Sequence, residues 1–311
     1  MERVISLLDA IPYVRAYEGQ TFVIKAGGEL LLQPKWRDGI ARDLCAIHRL
    51  GIRVVLVHGG GPQLDDVAQQ WGIDNPKVNG RRVTSTEMLD AALMVWRGRL
   101  SSMWVQAFAK QGESAVGVCG FDGNLITAER RPPVRLTNEA GDTEEVDFGH
   151  VGDICSVRVE LLESILSAGS VPVISPLAGS ADGSPLNVNA DTIASELAIH
   201  LKAAKLIMLT RAPGVLADPE DDSSVLHWAD IACIEQLKNS GVLSGGMLPK
   251  MAAAAKCLRN GVARVHIVDG RRPGALLEEV FTTEGSGTLL VERSDACPAE
   301  PLGMAPVGVV P

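Results

Sequence analysis

The chain has 311 residues, 46% apolar and 22% charged, enough for one large α/β domain or two small ones with an ordinary globular composition. A net charge of −9 and 4% aromatics argue against a protein built on polyanion binding or base stacking, so no nucleic-acid partner is expected. The six cysteines are widely spaced with no C-x-x-C pair, and no stretch reads as a signal peptide or an apolar span. The expectation is a cytoplasmic protein with no metal ligand set, no disulfide framework and no membrane contact.

Residues 1–17 come first. Val4, Leu7, Leu8, Ile11 and Val14 share a helical face, and Pro12 inside it is expected to kink or end the helix. That face either lies on its own domain, which periodicity favours, or reaches a partner subunit. Strand-like runs follow at "FVIK", "IRVVLVH", "SAVGV", "VPVIS", "KLIMLT" and "RVHIV". Helical stretches between most of them span 35–50, 61–72, 85–110, 159–168, 190–203, 229–239 and 247–260. Short Val-, Ile- and Leu-rich strands alternating with helices predict a parallel sheet covered on both faces. The turn-rich polar stretch from Asn124 to Ile154 predicts projecting hairpins, and "SDACPAEPLGMAPVGVVP" at 294–311 predicts a loose tail.

Within the first strand the run Thr21–Ile24 ends in Lys25, followed by Gly27 and Gly28. A cation there is not surface decoration, and the glycines leave backbone bare. "VVLVHGGGPQLDDVAQQWG" repeats the theme: Gly59, Gly60 and Gly61 put unshielded N–H groups at a helix N-terminus, which favours anions. A tight turn needs one glycine; three favour close approach of a ligand. Neither G-x-x-x-x-G-K-[ST] nor G-x-G-x-x-G is present, which weakens the common nucleotide fingerprints. In "SGGMLPKMAAAAKCLRNG", Lys250 lies in the first helical turn, facing the positive end of the dipole. An exposed lysine would tolerate that place; a lysine aimed at a bound anion explains it. Asp191 in "SPLNVNADTIASELAIHL" reads as a cap or first-turn acid, with Asn187 and Asn189 just before it.

With these pieces the chain resembles the amino acid kinase family over residues 1–292, and within it the kinases that phosphorylate N-acetyl-L-glutamate in arginine biosynthesis. The matching stretches are "VIKAGG", "VHGGGPQ", "VNGRRVT", "AVGVCG", "GHVGDI", "PVISP", "NVNADT", "GGMLPK" and "VHIVDG", in the family's order. The resemblance implies a three-layer α/β/α sandwich with a mainly parallel central sheet. It implies an N-terminal kinked helix at 1–20 and a kinase domain at 21–292. The acyl-amino-acid lobe would cover about 21–180 and the ATP lobe about 181–292. It implies roles for single residues. Lys25 and Lys250 would stabilise charge on the transferring phosphoryl group, with Asp191 holding them. Gly27, Gly28 and Lys250 would meet ATP. Gly60 and Gly61 would contact the acyl amino acid, with Arg82 and Asn187 at its carboxylate and amide ends. The implied cofactor is ATP with Mg²⁺, the metal riding on phosphate oxygens and water.

The chain departs from the family pattern in three places. Arg211 stands where an aspartate is usual, Ser101–Ser102 where Asn-Lys is common, and Ala26 where a larger residue is common. Arginine-inhibited members carry a kinked N-terminal helix linking dimers into a hexamer and bind L-arginine beside it. The matching positions here include Lys205, Glu279 and Gly285, so the resemblance implies a homodimer or homohexamer (a trimer of dimers) with arginine as feedback inhibitor. Two alternatives stay open. One is the same chemistry on another N-acyl or carrier-bound glutamate or aminoadipate, with Arg130, Arg131 and Arg135 as a basic patch for the carrier. The other is a catalytically silent arginine sensor. "NVNAD" with "NGRRVT" favours the free acceptor over the carrier-bound one.

Overall fold

The computed structural model describes residues 7–137 and 143–293. After helix α1 (Leu7–Tyr17) come β1 (Thr21–Ala26), α2 (Pro34–Arg49), β2 (Arg53–His58) and α3 (Gly61–Trp71). A helix in three parts follows: α4 (Thr86–Ala92), a π-helical stretch Leu93–Leu100, and α5 (Ser101–Lys110). Next are β3 (Ala115–Cys119), β4 (Ile126–Arg130), β5 (Gly152–Val157), α6 (Glu160–Ser167), β6 (Val171–Ser175), β7 (Leu177–Gly179) and β8 (Pro185–Asn187). The second half holds α7 (Ala190–His200), β9 (Lys205–Thr210), β10 (Trp228–Asp230), α8 (Ile231–Asn239), α9 (Met247–Arg259), β11 (Arg264–Asp269), α10 (Ala275–Phe281) and β12 (Thr288–Val291).

The eight-stranded sheet runs in the order β10-β12-β11-β9-β1-β2-β6-β3. Neighbours are parallel except β11 and β12. Side chains alternate across it. Phe22, Ile24, Ala26, Val54 and Leu56 enter one core with α2 to α5 and α10, while Val23, Val55 and Val57 enter the other with α6 to α9. The result is the expected α/β/α sandwich. Because Lys25 alternates with Ile24, it points with Val23 toward the α7 side. The expected hairpins are present too: β4 and β5 pair antiparallel in a second sheet of order β8-β7-β4-β5, and Val134–Thr137 pairs with Thr143–Val146.

Several elements differ from expectation. Of the two outcomes expected at Pro12, a kink or an end, helix α1 does not end there but runs through it. The missing N–H would have served the carbonyl of Leu8, a residue on the solvent side at 77% exposure, where water can replace it. Its packed side is Tyr13, Val14 and Tyr17, whereas Leu8 and Ile11 face outward; Val4 lies outside the described residues. The expected single helix at 85–110 is continuous, but its middle widens into the π stretch. Helix α7 stops at His200, where the left-handed φ of 49° at Lys202 turns the chain. Helix α10 and strand β12 were not foreseen, at seven and four residues too short to set a period. The predicted loose tail at 294–311 lies outside the described residues. Among the described residues no helix is long and apolar enough to cross a membrane.

Three loops that are distant in sequence meet beside the C-terminal strand ends. Buried Thr84 donates its N–H to Phe148 O (2.9 Å) and accepts from His150 N (2.8 Å), and its hydroxyl accepts from Asn187 Nδ2 (3.0 Å). Gly149 sits against it at φ 69°, where a Cβ would lie 2.3 Å from the Thr84 carbonyl oxygen. Gly149→Ala therefore combines left-handed strain with a backbone clash, and is expected to cost about 2–4 kcal/mol. Urea unfolding measures this as a lower midpoint at unchanged slope. A shift below about 0.5 kcal/mol would mean the loop yields freely.

Candidate active site

Strand β1 lies where the sheet order turns, with β2 on one side and β9 on the other. The crevice at the C-terminal ends of such strands is where open α/β sheets bind ligands. Lys25, one residue before the end of β1, is 5% exposed and its Nζ is 2.9 Å from Asp191 Oδ1. Lys250, in the first turn of α9, donates to Asp191 Oδ2 at 3.4 Å and to the Gly246 carbonyl at 3.3 Å. Asp191 is in the first turn of α7 and is not the cap. Asn189 Oδ1 is the cap, accepting from Asp191 N at 2.7 Å and Thr192 N at 3.3 Å.

One carboxylate thus serves two ammonium groups, Lys25 buried and Lys250 partly exposed, so the three side chains sum to +1 before the nearby Glu29 carboxylate is counted. Burial works against the charge of Asp191, but Lys25 and Lys250 together hold its carboxyl below the usual range. Burial opposes the charge of Lys25 as well, and Asp191, with help from Glu29, raises its pKa in spite of it. For Lys250, burial and then repulsion by Lys25 outweigh Asp191 and lower it. The cluster behaves as a fixed cation with one strained member.

Two glycine turns close over this charge. The N–H of Gly59 donates to Ala26 O at 2.8 Å, tying the turn after β2 to the end of β1. A Cβ on Gly28 would lie 2.7 Å from the Gly60 nitrogen, and one on Gly59 would lie 2.9 Å from the Gly28 nitrogen. The two turns therefore touch backbone to backbone, which only glycine permits. Gln63, in the first turn of α3, donates to Gly28 O at 2.7 Å and stitches them together. Gly27 is crowded by the carboxylate of Glu29. His58 is buried and its Nδ1 lies 2.9 Å from Gly59 O; burial, opposed by this bond, lowers its pKa to about 4, so it stays neutral.

A cavity of about 1120 Å³ opens beside the turns, lined by Gly60, Gly61, Arg82, Asn187 and, from the other side, Gly246 and Pro249. Arg82, on the short strand Arg81–Arg82, directs its guanidinium to Asp65 Oδ1 at 2.7 Å, to Asn75 Oδ1 and toward Gly61 O at 3.4 Å. Lys25, Asp191 and Lys250 lie just behind the wall, flanked by lining residues Asn189, Ala190 and Pro249; Gly27 and Gly28 lie behind it too. Of the three arginines suggested as a basic patch, two are paired with acids. Arg130 pairs with Asp147 (2.8 Å) and Arg131 with Asp153 (2.6 Å), while Arg135 stands opposite Glu145 in its hairpin. Ser101 is buried, and its Oγ lies where a side chain on Gly117 would go, whereas Ser102 and Arg211 are exposed.

Lys205, Glu279 and Gly285 meet elsewhere, where the interior strands β9 and β11 lie under α1 and α10. Lys205 Nζ lies 3.0 Å from His266 Nε2, and His266 Nδ1 donates to Glu279 Oε1 at 2.6 Å. Glu279 Oε2 accepts from Ser286 N (2.6 Å) and Gly287 N (2.8 Å), and Gly285 turns at φ 66° against it. Tyr17 of α1 covers Lys205, with Nζ 4.9 Å from the ring centre, and its hydroxyl accepts from Arg264 Nη1 at 3.2 Å. Burial, then the charge of Arg264, brings Lys205 down to about 7. Burial, then the charge of Lys205, brings His266 to about 4, so the imidazole is neutral. Glu279 falls to about 2 despite its burial, through His266 and the two backbone donors. Sequence reasoning missed His266 and Tyr17. A histidine alternating with valines in "RVHIV" was the available signal.

A model of the amino acid kinase family matches residues 20–269. The acetylglutamate kinase of Myxococcus xanthus is 44% identical over 300 residues, 96% of this chain and 97% of that one. The crystal structure of N-acetylglutamate synthase from Neisseria gonorrhoeae complexed with coenzyme A and L-arginine superposes with a TM-score of 0.77 at 26% identity. It is covered over 93% of this chain and 66% of its own length, so this chain spans about two thirds of it. Carbamate kinase from Giardia lamblia bound to AMP-PNP shares the fold, with a TM-score of 0.62 at 19% identity, covering 88% of this chain and 99% of that one.

Asp191→Asn keeps the shape and removes the carboxylate paired with both ammonium groups, one of them buried, so it is expected to cost about 3–5 kcal/mol at neutral pH. The folded pKa of Asp191 is depressed, so its contribution is present above the unfolded carboxyl value and is lost as pH falls through the folded one. The gap between variant and parent should therefore shrink below about pH 4. Urea titrations at a series of pH values measure it, and a pH-independent gap would refute the ion-pair account.

Proposed function

The chain belongs to the amino acid kinase family, and we propose that it transfers the γ-phosphoryl group of ATP to the side-chain carboxylate of N-acetyl-L-glutamate, as acetylglutamate kinases do in arginine biosynthesis. The observation that carries this reading is the buried Lys25–Asp191–Lys250 cluster set beside two touching glycine turns. In the transfer, an acceptor carboxylate oxygen attacks the γ-phosphorus, the bond to the β-phosphate bridging oxygen breaks, and ADP leaves as the acyl phosphate forms. A glutamate side chain, with pKa about 4.3, is already ionised at neutral pH, so no proton has to be removed.

What remains for the protein is positioning and charge stabilisation. In this reading Lys25 and Lys250 offer positive charge to the moving phosphoryl oxygens, and Asp191 holds both in place without cancelling their sum. Gly27 and Gly28 would lie toward the phosphates of ATP. The unpartnered N–H groups at the start of α3, at Gly60 and Gly61, would receive the acceptor, with Arg82 and Asn187 at its other polar ends. Magnesium would supply charge neutralisation of the phosphates. It would be held through phosphate oxygens and water, because no group of three His, Cys, Asp or Glu side chains converges among the described residues. The acidic partners of Arg130 and Arg131 favour the free acceptor over a carrier-bound one.

The same reading extends to regulation. L-arginine would bind where Lys205, Glu279 and Gly285 meet α1, its guanidinium drawn to Glu279. Support comes from the contact chain Tyr17–Lys205–His266–Glu279, which ties α1 to the loop before β12. The outward apolar residues Leu8 and Ile11 suit a helix that also meets a partner subunit, in a homohexamer built from dimers. Arginine would act by binding one arrangement of the lobes more tightly than the other.

Hydroxamate trapping of the acyl phosphate with ATP, Mg²⁺ and a panel of N-acyl amino acids tests the activity. Lys250→Ala should lower kcat about 10²- to 10³-fold, with acetylglutamate affinity changed less than about 3-fold. Equal turnover would remove Lys250 from the mechanism. Deleting residues 1–17 should leave active dimers that no longer respond to arginine, checked by sedimentation and inhibition assays. A full-length protein that is already dimeric and indifferent to millimolar arginine would overturn the regulatory reading alone.

A further inference from the structure

Trp96 stands in the π-helical stretch between α4 and α5 and is 5% exposed. Its indole N–H donates to the Gly60 carbonyl at 3.0 Å. The ring is pressed against this residue: a Cβ on Gly60 would lie 2.5 Å from Trp96 Cδ1. The same carbonyl accepts from Leu64 N at 3.1 Å, from within α3. Trp96 is thus the contact that reaches this peptide from a different element.

The consequence follows from peptide geometry. The Gly60–Gly61 peptide is planar and trans, so its N–H points opposite to its C=O. Fixing the carbonyl on the Trp96 side fixes the Gly61 N–H on the other. Gly61 lines the cavity, and a Cβ there would meet nothing within 4 Å. As the first residue of α3, its N–H has no partner within the helix. Three consecutive glycines have wide backbone freedom, so this peptide needs an anchor outside the turn. The π stretch supplies one, since a wider turn re-aims the side chain it carries.

We propose that Trp96 is a positioning residue that locks the Gly60–Gly61 peptide and so presents the Gly61 N–H to the acceptor carboxylate. This rests on the kinase reading above. The acceptor is anionic before and during transfer, so the lost alignment should appear mainly in acceptor binding.

Trp96→Phe keeps an aromatic ring and removes the donor. It is expected to raise KM for acetylglutamate about 10-fold, with kcat and the KM for ATP within about 2-fold. Trp96→His, which retains a ring N–H, should recover part of the loss. Hydrogen exchange of a peptide spanning residues 55–66 in the ligand-free chain should be faster in Trp96→Phe, a readout that needs no acceptor. Unchanged KM and unchanged exchange in a folded Trp96→Phe would overturn the proposal. So would a uniform loss in kcat and both KM values with no rescue by histidine, the mark of a merely structural residue. A parent protein that makes no acyl phosphate from any acceptor would sink the kinase reading, and the exchange comparison would still decide whether Trp96 holds the turn.

Discussion

Two ammonium groups share one carboxylate behind the wall of the cavity, and most of the architecture can be read as support for that arrangement. A buried cation is tolerated only when paired. Lys25 comes from the sheet, Lys250 from the start of α9 and Asp191 from the start of α7, so three elements must hold fixed relative positions for the pairing to exist. Each has its own means. Strand β1 is bonded on both sides, α7 is capped by Asn189, and α7 and α9 lean on each other through Ile193, Leu197, Ala254 and Leu258 in one core. The excess positive charge is then a property of the fold and not of a flexible side chain. This is the preorganised electrostatics that phosphoryl transfer rewards.

The glycine turns solve the opposite problem. Where charge must be concentrated, side chains are brought together; where a ligand's oxygens must come close, side chains are removed. A methyl group on Gly28 would run into the Gly60 backbone, and one on Gly60 would run into Trp96. The backbone freedom this creates is restrained by residues outside the turns, Gln63 on one carbonyl and Trp96 on another. Rigidity at such a site is borrowed from neighbours.

Much of this was legible in the sequence because the unusual residues break local rules. A lysine ending a core strand, a lysine in a helix's first turn and three glycines before a helix each contradict propensity, and such violations gather at functional sites. The sheet strands were legible because β1, β2, β6, β9 and β11 are short runs dominated by Val, Ile and Leu. Other features had no local signal. The widening at Leu93–Leu100 leaves the apolar pattern of a long helix intact. Asp191 read as a cap or a first-turn acid and is the latter, while Asn189 as the cap had no separate signal because capping chemistry is shared by Asn and Asp. Pro12 was judged by its intrinsic cost, which is small where the orphaned carbonyl is exposed. Tyr17 over Lys205 is a tertiary contact between the first helix and a strand from the far half of the chain.

That far half matters in time as well as in space. Strand β1 lies in the middle of the sheet, yet its partner on one side, β9, pairs Phe22 with Lys205. During synthesis from the N-terminus, β1 can pair with β2 early, but its other edge stays open until more than half of the chain has emerged. Such long-range parallel pairing is slow, because the loop entropy is lost before the contact forms. The nascent chain therefore carries an exposed, Val- and Ile-rich strand edge through most of its own translation, the feature that makes a folding intermediate prone to aggregate and a client for chaperones.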